Sequence, residues 1–392
     1  MKDVFIVATK RTPIGSFLGG LSSLTAPQLG AIAIEETYKS IGLAPQYIDS
    51  VYMGNVLSAG VGQSPARQAT IFANIPTGKD ATTVNKVCAA GMKATTLAAQ
   101  QIQLGLEDIV VAGGMESMSN VPHYTNVRNG NKLGHLNLTD GMIKDGLWDV
   151  YNDFHMGTAA ELSIDKYKHT REELDSFALL SYKRAQHATE QGKFANELIP
   201  ITISTKKGNI TIDKDEDIYK LIPEKIASLP PAFRTDGRLT AANSSNLNDG
   251  AAAVLLASQK AVDKHNLKPL AKIIAYADAA QDPEWFTTTP SIAINKVLKQ
   301  ANLSIDDIDF FEINEAYASV ILSNQEILNY NIEKVNLYGG AVALGHPIGA
   351  SGARIITTLV NVLKQEKGKY GIAAICNGGG GATAILIENI NK

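Results

Sequence analysis

The residues best suited to covalent chemistry in this chain are two cysteines, Cys88 and Cys376, and one of its seven histidines, His346. Cys88 follows Thr82-Thr83-Val84-Asn85-Lys86-Val87 and opens the Ala-rich segment Ala89 to Leu104, which reads as a helix closed by Gly105. A thiol at a helix N-terminus faces the positive end of the dipole, which lowers its pKa and favours thiolate. The small neighbours Ala89, Ala90 and Gly91 would let a substrate carbonyl approach backbone N–H donors. A lone intracellular cysteine is more often inert and buried, and that reading stands beside the nucleophile.

Cys376 closes an apolar run and is followed by Asn377 and four glycines, Gly378 to Gly381. Such a stretch brings backbone N–H groups close to a bound oxygen, or simply turns the chain after a strand. The G-x-G-x-x-G pattern of a dinucleotide site is not completed by a helix and a later acidic residue. His346 lies in Gly339 to Gly352, where Pro347 forces it out of helical geometry and glycines clear space around the imidazole. That setting suits a general base. Asn314, in Asn314-Glu315-Ala316-Tyr317, reads either as a helix N-cap or as a fixed amide holding a water or an oxyanion. No zinc spacing appears among the cysteines and histidines. Two unbridged thiols with a histidine point to acyl transfer through a thioester.

The elements that must position these groups alternate. Strand candidates are Val4 to Ala8, Asp108 to Ala112, Ala252 to Ala257, Lys272 to Tyr276 and Gly371 to Cys376; Ala353 to Gln365 is a second helix. The pattern repeats. Ile48 to Asn55 precedes Cys88 by 33 residues counted from Asn55, and Ile308 to Asn314 precedes His346 by 32 counted from Asn314. Each reactive residue is followed by a glycine, a helix, an apolar strand and a glycine cluster. A duplicated α/β unit with Cys88 and His346 at equivalent places is the simplest account. Between the halves, Ser119 to roughly Asn248 lacks the Ala/Gly/Val rhythm and reads as an insertion. Its acidic run Asp213 to Asp217 is expected as a solvated turn.

The 392 residues carry 36 Lys+Arg against 39 Asp+Glu, with 45% apolar residues, enough for two or three domains and a large core. That balance excludes disorder and offers no basic field for nucleic acid, and no apolar run reaches membrane-spanning length. With two distant cysteines, a reducing compartment is the default. The opening residues lack a signal-peptide pattern, and the last three are not a peroxisomal signal, so a cytoplasmic location is expected.

Several segments together resemble the thiolases: Asn85-Lys86-Val87-Cys88-Ala89-Ala90-Gly91-Met92-Lys93-Ala94, Gly113-Gly114-Met115-Glu116-Ser117-Met118-Ser119, Asn314-Glu315-Ala316, Gly345-His346-Pro347-Ile348-Gly349 and Cys376-Asn377-Gly378-Gly379-Gly380. The match runs in order from residue 4 to 388 and is most similar to the acetoacetyl-CoA thiolase branch. The resemblance implies an α/β fold with a duplicated five-layered αβαβα core: residues 1–118 plus 249–269, an inserted loop domain over 119–248, and a second half over 270–392. It implies condensation of two acetyl-CoA to acetoacetyl-CoA and CoA, and the reverse thiolysis, with no tightly bound cofactor. A broad-specificity 3-ketoacyl-CoA thiolase and a silent CoA- or lipid-binding relative are the alternatives. By resemblance Cys88 is acylated, His346 activates it, Cys376 moves the α-proton, and Asn314 and Gly378 serve the oxyanions. CoA would meet Leu147, His155, Met156, Phe233, Ala241, Ser245 and Phe286, with Lys220 and Lys225 at its phosphates. A potassium ion, a feature of the mitochondrial-type branch, would map to Tyr182, Ala241, Ala242, Ser244 and Val342. That branch has Phe-Pro where this chain has Phe286-Thr287, which bears on acceptance of 2-methylacetoacetyl-CoA. The family also suggests a homotetramer.

Overall fold

The computed structural model describes residues 2–206 and 208–390. The first half contributes strands β1 (Val4–Arg11), β2 (Ser50–Gly54), β3 (Asp80–Val84), β4 (Ile109–Ser117) and β5 (Asn248–Ser258). Its helices are α1 (Ala26–Lys39), α2 (Pro65–Phe72) and α3 (Ala90–Leu104). Helices α4 (Met156–Tyr167) and α5 (Arg171–Glu190) lie in the intervening segment. The second half contributes β6 (Ala271–Ala280), β7 (Phe310–Ile313), β8 (Tyr370–Asn377) and β9 (Gly381–Asn389) with α6 (Thr289–Ala301), α7 (Ala318–Leu328) and α8 (Ile348–Gln365).

The strand order is β7-β8-β9-β6-β1-β5-β4-β2-β3, and the two halves follow one plan. In the first, β1 runs antiparallel to β5, β5 antiparallel to β4, and β4 parallel to β2. In the second, β6 runs antiparallel to β9, β9 antiparallel to β8, and β8 parallel to β7. The halves meet edge to edge where Phe5 and Ile6 pair with Lys272 and Ala271. Every residue of β4 and β5 is buried, as strands covered on both faces must be.

Three apolar cores separate the layers. Leu29 and Ile34 of α1 pack on Met53 and Val111 on one outer side. Met92 and Ile102 of α3 meet Ile355, Ile356 and Leu359 of α8 in the centre. Ile294 and Val297 of α6 with Val320 and Ile321 of α7 cover Ile372 and Ala374 on the other outer side. The αβαβα layering is therefore present, with α3 and α8 as the shared middle layer.

The acidic run at 213–217 is not a solvated turn. Asp215 and Asp217 are buried. Arg11, itself fully buried at the end of β1, donates to both oxygens of Asp215 (2.7 and 3.0 Å) and to Glu197 (2.6 Å). Asp217 accepts from Ser16 Oγ (2.5 Å) and Asn248 Nδ2 (2.8 Å), and Glu216 from the Ser16 N–H (2.8 Å). A buried guanidinium needs carboxylates around it, and this run supplies one.

Candidate active site

Both reactive residues of the repeat stand just before the N-termini of the two middle helices, so the duplication brings them face to face. Cys88 lies in the turn from β3 to α3. Val87 before it takes φ 48°, a left-handed conformation that a β-branched residue adopts only under constraint. Lys86 anchors the turn to the other half, reaching Asp278 (2.5 Å) and Thr383 Oγ1 (2.8 Å). His346 precedes α8, with Pro347 at the N-cap, and its N–H donates to Asn248 Oδ1 (2.9 Å).

Cys88, His346 and Gly378 line one cavity of about 380 Å³. Its wall includes the expected Leu147, His155, Met156, Phe233, Ala241, Ser245 and Phe286. The Phe233 ring stacks on His155 at 5.0 Å between centroids, and His155 Nδ1 accepts from the Gly157 N–H (3.0 Å), which caps α4. Thr287, by contrast, is buried beneath the wall and does not face the cavity. Asn314 is buried just behind it, with Nδ2 at 3.5 Å from His346 Nε2. Helix α7 is capped at Tyr317, so Asn314 is not an N-cap. Its Oδ1 is buried with no hydrogen-bond partner among the described residues.

The imidazole has a defined tautomer. Ser351 Oγ donates to the Pro347 carbonyl (3.0 Å), so toward His346 Nδ1, 2.6 Å away, it acts as acceptor. The network thus assigns the proton to Nδ1 and leaves Nε2 as the acceptor, met by Asn314 Nδ2 only at the long distance of 3.5 Å and so available for a base's work. Burial, with Arg354 behind it, pushes the His346 pKa down to about 3, so the ring is neutral at pH 7.

For Cys88 the expected thiolate is not found. Burial pushes its pKa up to about 12, partly offset by the N–H groups of Cys88 and Gly378 directed at the sulfur, and Glu116 adds to the rise. Helix α3 begins at Ala90, two residues on. The dipole is therefore outweighed by loss of solvent around the thiolate. Cys376, buried at the end of β8, is raised as well, by burial first and then by the Cys88 charge. The pair resists holding two thiolates at once.

A second, more open cleft of about 500 Å³ adjoins the first, sharing Ala241, Asn246 and Leu247. Lys220 and Lys225 line it with Tyr182, Ala242 and Asp217. Lys220 is bound to Asp217 (2.8 Å), whereas Lys225 has no ion pair among the described residues. Of the positions mapped for potassium, Tyr182, Ala241 and Ala242 share this cleft, and Val342 packs in one cluster with Tyr182 and Ala242. Ser244 lines the neighbouring cavity, its Oγ buried without a partner among the described residues. Hydroxyl and carbonyl oxygens are the donors a hard alkali ion takes, so the set fits in chemistry.

The profile of the thiolase N-terminal domain matches residues 4–260, and that of the thiolase C-terminal domain matches residues 267–389. This chain belongs to the thiolase family. A cytosolic acetyl-CoA acetyltransferase of Gibberella zeae is 52% identical over 393 residues, covering all of this chain and 99% of the relative. A mitochondrial acetyl-CoA acetyltransferase of Bos taurus is 50% identical, covering all of this chain and 92% of the relative. The crystal structure of the Acat5 thiolase of Ascaris suum in complex with coenzyme A matches with a TM-score of 0.95 at 46% identity, over 99% of this chain and all of that one.

Some residues of this thiolase site escaped the sequence reading. Ser351 stood inside the glycine-rich segment already singled out, but nothing in its spacing shows that it faces Nδ1. Met118, Met142 and Tyr317 line the cavity from three separate segments. Asn248, which holds the His346 N–H, is 98 residues away in sequence.

Proposed function

We propose that the chain is an acetyl-CoA C-acetyltransferase, condensing two acetyl-CoA to acetoacetyl-CoA and CoA and catalysing the reverse thiolysis. The observation that carries the reading is the arrangement at Cys88. Its sulfur lies under the N–H groups of Cys88 and Gly378, in one cavity with a neutral His346 whose Nε2 carries the lone pair. The thiolase domains and full-length relatives named acetyl-CoA acetyltransferase support it.

In the first step Cys88 gives its proton to His346 Nε2 and attacks the acetyl-CoA carbonyl. The oxyanion forms where the Cys88 and Gly378 N–H groups point. Collapse breaks the C–S bond to CoA, whose thiolate takes the Cys376 proton, leaving acetyl-Cys88, an imidazolium and a Cys376 thiolate. In the second step Cys376 removes the α-proton of a second acetyl-CoA, while the imidazolium and a water on Asn314 Oδ1 serve that thioester oxygen. The carbanion attacks acetyl-Cys88; expelled Cys88 recovers its proton from His346, and every group returns to its first state. The raised Cys376 pKa makes its thiolate a strong base when formed.

CoA enters, on this reading, through the open cleft, its phosphates at Lys225 and Lys220 and its pantetheine along Leu147, His155, Met156, Phe233, Ala241, Ser245 and Phe286. A potassium ion would be held by Tyr182, Ser244 and the backbone of Ala241, Ala242 and Val342, and supplies positive charge beside the cleft when bound. We also read the protein as cytoplasmic, like the cytosolic relative, and as a homotetramer. The exposed Leu133, Leu136 and Leu138 support assembly; light scattering tests it. Among the described residues no helix is long and apolar enough to cross a membrane.

The test is CoA-dependent thiolysis of acetoacetyl-CoA, 2-methylacetoacetyl-CoA and a long-chain 3-ketoacyl-CoA, with intact mass after exposure to acetyl-CoA. Turnover confined to short substrates, one acetyl group gained, and loss of both in Cys88→Ala are expected. Preferred cleavage of the long chain would make it a broad-specificity thiolase, and no turnover by folded protein would refute an enzyme.

A further inference from the structure

The repeat extends beyond the residues assigned above. In the first half β2 and β4 pair so that Gly54 faces Gly114; in the second, β7 and β8 pair so that Ile313 faces Ala374. Aligning these registers places Asn55 on Asn314 and Glu116 on Cys376, while Cys88 falls on His346. The first half therefore carries a counterpart of the Asn314-His346-Cys376 set, with a carboxylate where the second half has its proton-moving thiol.

That carboxylate is fully buried and all its acceptor positions are used. Oε1 accepts from Asn55 Nδ2 (2.8 Å) and the Leu57 N–H (3.2 Å); Oε2 accepts from the N–H groups of Val56 (3.1 Å) and Gly349 (3.0 Å). Gly349 belongs to the first turn of α8, the helix entered through His346-Pro347. Pro347 offers that helix no side-chain cap, so the cap comes from the other half of the molecule. The approach is close on the same side. A side chain on Gly54 or Gly114 would collide with the Gly349 carbonyl.

Resting on the acetyltransferase reading above, we propose that Glu116, held by Asn55, is a positioning residue for the reaction. It fixes the His346-Pro347 turn at a set distance from Cys88.

The experiment compares wild type, Glu116→Gln and Glu116→Asp in thiolysis of acetoacetyl-CoA, with kcat and KM read separately. In Glu116→Gln the amide NH2 must face two N–H donors, so the turn shifts. A displacement of about 1 Å costs roughly 100-fold in kcat with KM nearly unchanged. Glu116→Asp, which keeps two carboxylate oxygens to accept these N–H groups, should recover part of kcat. The proposal is overturned by a Glu116→Gln kcat within threefold of wild type, or by a KM that rises in step with the fall in kcat. Should Glu116→Gln not fold, Asn55→Ala decides: a several-fold fall in kcat at constant KM supports the proposal, and an unchanged kcat overturns it. A wild type that turns over no thioester overturns the acetyltransferase reading instead, and is thereby told apart.

Discussion

Ser351→Ala isolates what fixes the His346 tautomer. The hydroxyl touches the imidazole at Nδ1 (2.6 Å) and the Pro347 carbonyl (3.0 Å), and it does not line the cavity. Its removal leaves a buried Nδ1–H without an acceptor, at a cost of about 1–3 kcal/mol. The ring escapes that cost by moving the proton to Nε2, where it can no longer take the Cys88 proton. The productive tautomer then lies about 1–3 kcal/mol above the other, which lowers Cys88 acylation by roughly 5- to 150-fold. The assay is pre-steady-state acylation by acetyl-CoA together with kcat and KM for acetoacetyl-CoA thiolysis. KM should hold, because Ser351 reaches the substrate only through His346. Ser351→Thr, which keeps the hydroxyl, should recover most of the rate. A folded Ser351→Ala protein acylating within twofold of wild type would refute the tautomer argument.

Other outcomes follow from the same geometry. Because burial raises the Cys88 pKa to about 12, its alkylation should climb about tenfold per pH unit from pH 6 to 9; a plateau below pH 8 would show a preformed thiolate. The folded-state pKa of His346, about 3, lies below the unfolded value near 6.5, so its contribution to stability is complete above pH 6.5 and is lost as the pH falls toward 3. His346→Gln should accordingly lose less Tm than wild type between pH 7 and 5, and equal slopes by calorimetry would contradict this. Asp215→Ala leaves the buried Arg11 with half its partners and should cost about 3–5 kcal/mol, read as a lower urea midpoint; a change under 1 kcal/mol would mean solvent reaches Arg11.

The duplicated α/β plan, the two thiols, the histidine and the order in which they occur are legible along the chain. Periodicity, glycine placement and the spacing from Asn55 to Cys88 and from Asn314 to His346 are local properties, written along the chain. Strand ends were less legible. Val4 to Ala8 extends to Arg11, and the helix expected from Ala353 begins at Ile348, because pairing and close packing carry elements past their propensities. Where a charge lives is not local at all. The run at 213–217 has the composition of a solvated turn, yet Asp215 is drawn inside by Arg11, more than 200 residues earlier. Cys88 has the local setting of an activated thiolate, yet the walls contributed by α4, the segment near 286 and the second half remove the water that a thiolate needs. Desolvation is a property of the folded chain, because it depends on which distant segments close around a group. The fold likewise decided that Ser351 orients His346 and that Glu116 of one half caps a helix of the other.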